Sequence, residues 1–408
     1  MGFQQGLSGL NAASKNLDVI GNNVANASTV GFKGAQAQFA DVYANSVGGG
    51  NQSGIGVRVA TIAQQFTQGN ITTTNNSLDM AVSGNGFFRT STLNTGGAIS
   101  YTRNGQFQMD KDGYIVTSRG EFLTGYKADA QGTILATEPA GLQISAAGLV
   151  AKQTAAVVAG INLDARSAII PALPVFDPAN AATFNNSTSM TVFDSLGVSH
   201  IASLYFAKTA ANAWSSYLTV DGALVPAALA PLSTMTFSTS GVLVTPAAPV
   251  ASAAFTPAGA AAQTLTFNLA SSTQFGGTFG VNSLTQDGYT SGKLTGFSTG
   301  TDGIIAGRYT NGQIRTLGQV VLSRFENEQG LQPMGNNSWV ETASSGQPQT
   351  GKPGTGRLGL LQTSAVEDAN VDLTAELVNM ITAQRVYQAN AQSVKTQDQV
   401  MQTIVNLR

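Results

Sequence analysis

The chain has 408 residues, enough for two or three compact domains, because single hydrophobic cores stop growing well before that length. Charged residues make up 10% of it and the net charge is −2; with charge so scarce against an average of about 25%, the surface must be covered by Ser, Thr, Asn, Gln and Gly, and the basic footprint that nucleic-acid binding requires is missing. Cysteine is absent and His200 is the single histidine, which removes disulfides, thiol chemistry and two-histidine metal sites, so neither a metal nor a cofactor is expected.

The first residues, MGFQQGLSGLNAASKNLDVIGNN, lack a cationic start, and Lys15 and Asp18 interrupt any apolar run, so a cleaved secretory signal is not expected. No run reaches the roughly 18 apolar residues of a membrane helix, and no membrane insertion is expected. Leu7, Leu10, Ala13, Leu17, Ile20 and Val24 recur at spacings of three and four and predict a helix with one apolar stripe. GNNVANASTVGFKG then supplies the Gly and Asn residues that end it. Residues 33–69 read as a linker, with GGGN at 48–51 as its most flexible point.

From residue 70 the pattern alternates in the period of strands and is punctuated by GNG, RNG, KDG and SRG. Phe107 and Met109 alternate before Asp112-Gly113, and Tyr114 and Val116 resume after it, which predicts a β-hairpin. Between 147 and 287 the composition shifts to Ala, Thr, Ser and Pro around β-prone runs such as HIASLYFA and WSSYLTV. Strand signals with the earlier turn chemistry return from 288, so the middle reads as an insertion. The C-terminal segment has no Gly or Pro. It carries a seam spaced by four and three through Leu373, Leu377, Met380, Gln384, Tyr387, Ala391, Val394, Asp398, Met401 and Val405, with Asp372 and Glu376 where an N-cap and a first-turn acid belong.

The fold class expected is α+β, mainly β: discontinuous β-domains in the middle, with N- and C-terminal helices forming a coiled-coil-like pair. Residues 1–32 and 365–408 form the helical domain, 70–146 and 288–364 one β-domain, and 147–287 an inserted outer β-domain. A lone helix with an apolar stripe is marginal in water. The economical arrangement pairs the two ends of one chain and packs the pairs between chains, as the inner layer of a polymer. An ordinary helix pair closing a monomeric protein would use the same stripes; the strictly terminal position of both helices favours the polymer.

Catalytic readings are weak. Asp110 to Ile115 imitates a calcium loop, but with Gly113 at the sixth position Gln108 and Arg119 stand where acids are needed. Asp194, Ser195 and His200 invite a triad, yet adjacency is not triad geometry. Gly84-Asn85-Gly86-Phe87-Phe88 lacks the third glycine and following helix of a dinucleotide site. The chain is expected to be structural, not an enzyme.

Three segments carry a family resemblance. LSGLNAASKNLDVIGNNVANASTVGFKG resembles the N-terminal motif of the bacterial flagellar axial (rod and hook) family at Gly21, Asn22, Asn23, Ala25, Asn26, Thr29, Gly31, Phe32 and Lys33. VSGNGFF with YTRNGQFQMDKDGYIVTSRGEFLTGY is similar to the signature of its β-domain, and VDLTAELVNMITAQRVYQANAQSVKTQDQVMQTIVNLR resembles its C-terminal helix. Length and the large insertion resemble the hook branch of the family. The resemblance implies a self-assembling curved tube outside the cell that transmits torque as a universal joint. It also implies the distal rod, hook cap, hook–filament junction proteins and the flagellar type III export apparatus as partners, with export lacking a cleaved signal. Phe39 and Tyr43 are similar to the aromatic-x-x-x-apolar element presented to the export gate, a spacing that ordinary strand packing would also produce. A rod subunit with an enlarged middle, or a secreted β-rich adhesin-like protein, are the alternatives.

Overall fold

A computed structural model describes residues 2–42, 54, 56–145, 147–226 and 229–406. They fold into two compact units, Met1–Ala146 with Gly296–Arg308 and Ile314–Arg408, and Ala147–Thr295 with Tyr309–Gln313.

The first unit begins with helix α1 (Gly2–Ala25) and ends with helix α2 (Leu373–Asn406). The region read as a linker, residues 33–69, is largely an antiparallel ribbon. Strand β1 (Ala35–Val42) pairs with β2 (Gly56–Gln64), and a register shift at Gln38/Phe39 bends the pair. The reason lies in Phe39, Val42, Val57, Val59, Thr61 and Ile62, whose aromatic and β-branched side chains suit a pleated surface. The GGGN run at 48–51, which prompted the linker reading, lies outside the described residues.

Nor do the helical ends stand apart from the β-domain. Strand β3 (Ile71–Thr73) pairs with Ala365–Glu367, and β4 (Met80–Ser83) pairs with Leu360–Thr363. The segment that leads into α2 is thereby sewn to the one that follows β2, and helices and β-domain form one unit rather than two. Its main sheet runs antiparallel through Ile314–Val320, Phe122–Lys127, β5 (Phe87–Ser91), Ile99–Thr102, Ser338–Val340 and Gln332–Gly335. Phe87, Tyr101, Phe325, Leu331 and Trp339 form an aromatic core on it, with Phe66 packed against them edge-on. The hairpin read from the sequence is present, Phe107–Met109 against Ile115–Thr117, with Asp110 Oδ1 accepting the Asp112 and Tyr114 N–H groups in its turn.

In the second unit a sheet containing Ala156–Asp164 and another containing Asn186–Phe193, Ser199–Ala210 and Ala213–Val220 share one core. Val157, Ala159, Ile161 and Leu163 come from the first, and Leu204, Phe206, Trp214 and Leu218 from the second. Trp214 Nε1 donates to Gln274 Oε1 at 2.8 Å, so the one polar atom of the ring is satisfied inside that core. This unit runs to Thr295 and takes back Tyr309–Gln313, where the inserted domain was expected to close at 287.

Candidate assembly interface

Small residues set the contact between α1 and α2. A Cβ built on Gly6 would meet Val394 Cγ2 at 2.9 Å, and one on Gly9 would meet the Asn390 amide at 2.7 Å. Ala12, Ala13, Val19, Ile20 and Asn23 continue the buried line of α1, and Asn23 Nδ2 donates to Glu376 Oε1 at 3.2 Å. Gly6 opposite Val394 and Asn23 opposite Glu376 make the pair antiparallel. At the start of α2, Asp372 Oδ1 accepts the Thr374 and Ala375 N–H groups, the capping role its position suggested.

The predicted stripes lie mostly off this contact. On α1, Ala13 and Ile20 are buried, Leu10, Leu17 and Val24 are half-buried, and Leu7 is 45% exposed. With 3.6 residues per turn, the line Leu7, Leu10, Leu17, Val24 stands roughly a quarter turn from the buried line. The seam of α2 is displaced in the same way: Met380, Ala391 and Val394 are half-buried, Leu373, Leu377, Gln384, Tyr387, Asp398 and Met401 are exposed, and the side chain of Val405 lies outside the described residues. Ala383 is the buried residue among the described side chains of α2. Leu377 is 44% and Met401 62% exposed, and Val378, Ile381, Val386 and Val400 join them. Between α1, α2 and the β1–β2 ribbon runs a groove of about 1000 Å³, lined by Ala12, Ile20, Ala37, Val57, Ala383 and Val386 among others.

The N-terminal motif builds the junction beneath the helices. Asn23 is buried; its amide donates to Ala35 O (2.8 Å) and its Oδ1 accepts the Ala35 N–H (2.9 Å), which fixes the departure of β1. Asn26 Nδ2 caps the helix end on Asn22 O at 3.0 Å, and Thr29 Oγ1 donates to Asn26 Oδ1 at 3.3 Å. Gly31 has φ +69°, and a Cβ there would lie 2.6 Å from the Arg103 carbonyl carbon, so both conformation and space demand glycine. Gly21 and Phe32 are half-buried, and Asn22 and Ala25 face outward. Phe39 is exposed on β1, and Tyr43 lies outside the described residues.

Lys33 is the most informative of these residues. Its side chain is wholly buried and its Nζ donates to Glu367 Oε1 at 2.6 Å and to Thr67 O at 2.7 Å. Arg103 Nη1 holds the other oxygen of Glu367 at 3.1 Å, and the Gly69 N–H donates to Oε1 at 2.9 Å. Burial, opposed by the attraction of Glu367, pulls the Lys33 amine below the ordinary lysine range. Neither Arg103 nor Glu367 was singled out from the sequence. No local signal could have found them, because 264 and 334 residues separate Glu367 from its two cationic partners.

Elsewhere, His200 lies between Asp221 Oδ2 (2.6 Å from Nδ1) and Asp194 Oδ2 (3.4 Å from Nε2), while Ser195 Oγ accepts the Ala261 N–H. Both ring nitrogens are engaged by carboxylates, so the ring is not positioned as a base toward the serine. Among the described residues no group of His, Asp and Glu side chains could hold a metal, and no helix is long and apolar enough to cross a membrane.

The fold is that of a β-rich chain in two units, one carrying the paired terminal helices on its β-domain and the other an inserted β-unit. Four family models match in order: "Flagella basal body rod protein" over residues 3–33, "Flagellar hook protein FlgE/F/G D1 domain" over 81–166, "Flagellar basal body protein FlaE D2 domain" over 162–289, and "Flagellar basal body rod FlgEFG protein C-terminal" over 362–407. The chain is 43% identical over 412 residues to the flagellar hook protein FlgE of Escherichia coli (strain K12) and 42% over 414 residues to that of Salmonella typhimurium, covering all of both chains each time. The flagellar hook protein FlgE of Borreliella burgdorferi is 31% identical, over 99% of this chain and 98% of that one. The crystal structure of Helicobacter pylori flagellar hook protein FlgE2 shares the fold, with a TM-score of 0.55 at 14% identity, covering 72% of this chain and all of that one. The chain belongs to the flagellar hook protein family.

Proposed function

We propose that this hook-family subunit polymerises through the outward apolar faces of α1 and α2, which pack between copies as the inner layer of a curved helical tube. The observation that carries the reading is the division of labour on the helices: Gly6, Gly9, Ala12, Ala13 and Ala383 serve the intramolecular contact, and Leu7, Leu373, Leu377, Ile381 and Met401 are left facing outward. Burial of each such side chain is worth about 1.5–3 kcal/mol, so a few per contact suffice when every subunit makes the same contact with its neighbours. Head-to-tail contacts that do not close generate helical polymers.

In that role the chain connects rod to filament as a universal joint transmitting torque and performs no catalysis. It meets distal rod, hook cap and hook–filament junction proteins at the ends of the tube. It reaches the cell exterior through the flagellar type III export apparatus without a cleaved signal, and Phe39 with Tyr43 contributes to export-gate recognition. The test is electron microscopy of the purified chain under polymerising conditions beside Leu377→Asp. Curved tubes from the unaltered chain, and none from a variant whose β-units melt normally, are the expected result; normal tubes from Leu377→Asp refute the interface.

A further inference from the structure

The buried ion cluster joins segments that are remote in sequence. Lys33 lies between α1 and β1, Arg103 follows the strand Ile99–Thr102, and Glu367 ends the strand that leads into α2. The side chains of Lys33 and Glu367 have no solvent exposure and that of Arg103 has 3%. Around them the backbone repeats the connection: the Gly31 N–H donates to Glu367 O at 2.7 Å, and Arg103 Nη2 donates to Gly84 O at 2.9 Å. Asn370 adds a neutral clasp, its Oδ1 accepting the Gly34 N–H at 2.8 Å and its Nδ2 donating to Gln65 O at 2.6 Å.

Two cations share one carboxylate here, out of water. Removing the carboxylate strands both, which is the costly way to break a buried pair; Arg103 also lies over the Phe87 ring, 5.2 Å from its centroid, so the cluster borders the aromatic core. Between α1 and β1 the backbone and side chains of the N-terminal segment bond to Gln65, Thr67, Asn337, Glu367 and Asn370, all distant in sequence, and Glu367 and Asn370 come from the segment that leads into α2.

We infer that Glu367 is the keystone of a two-ended lock, by which residues 26–34 become ordered on the β-domain only when the segment 365–370 from the far end of the chain is seated. The lock makes the attachment of α1 conditional on that of α2, so one helix is never fixed to the β-domain without its partner.

Hydrogen exchange on the full-length monomer tests this with two variants, Glu367→Gln, which discharges the keystone, and Asn370→Ala, which opens the clasp without stranding a charge. In both, residues 26–34, 66–70 and 365–370 are expected to exchange faster together, by at least about tenfold in Glu367→Gln, while Phe87–Ser91 and Ala156–Asp164 keep their protection. Retained protection at residues 26–34 in both variants overturns the lock. So does loss of protection at Phe87–Ser91 in step with those segments in both, because the cluster would then be an ordinary part of one cooperative core.

Discussion

The second unit and the terminal helices treat apolar side chains in opposite ways. In the second unit Leu204, Phe206, Trp214, Leu218 and Phe267 are wholly enclosed between two sheets of the same chain. Among the described side chains of α2 nearly every large apolar one is half exposed, and the residue that is buried is an alanine. The β-unit completes its core alone, whereas α2 leaves apolar surface that its own chain does not cover. The difference teaches which apolar faces the intramolecular contact uses and which it leaves free, the latter being the faces proposed above for assembly.

Truncating the closed core should have the largest effect. Trp214→Ala removes a large ring and leaves Gln274 without its donor, so thermal or denaturant unfolding should show a loss of about 3–5 kcal/mol in the second unit. Assembly through Leu377 should survive wherever that unit remains folded. Gly6→Val attacks the helix pair instead: its Cβ falls 2.9 Å from Val394 Cγ2, and overpacking of this kind costs about 1–3 kcal/mol. Proteolysis of α1 should quicken while the unfolding of the second unit stays unchanged; equal loosening of both would erase the contrast drawn here.

Asp372→Ala removes the cap of α2, at a cost of about 1 kcal/mol, and circular dichroism should report reduced helicity in the monomer that assembly restores. The smallest effect concerns His200, where the hydrogen bond to Asp221 outweighs desolvation and raises its pKa. A raised folded-state pKa gives stability that is full below the unfolded value of about 6.5 and is lost as pH rises through the folded value. The second unit should therefore melt at a higher temperature at pH 6 than at pH 8, and His200→Gln should reduce the difference. An unaltered difference in the variant assigns it to other groups.

Much of this was legible in the sequence because it is local. A 3.6-residue period declares a helix, Asp372 declares its start, and Asp112-Gly113 between alternating residues declares a hairpin. The β1–β2 ribbon was legible in AQAQFADV and GVRVATIAQ, whose strand-forming residues were outweighed by the glycines between them. The motif residues Gly31 and Lys33 could be noticed, but their purposes could not.

The sequence by itself determined that both ends are helical, that the middle is β, and that no thiol or paired-histidine chemistry is available. Only the tertiary structure decided which face of each helix meets the other. A stripe on a helical wheel gives the amount of apolar surface and not its partner, and close approach at Gly6 and Gly9 placed the small residues inside and left much of the leucine surface outside. It also decided that Lys33 and Arg103 share Glu367. A buried ion pair depends on distance in space, and the strand pairing of Ile71–Thr73 with Ala365–Glu367 creates that distance long after the local pattern has fallen silent.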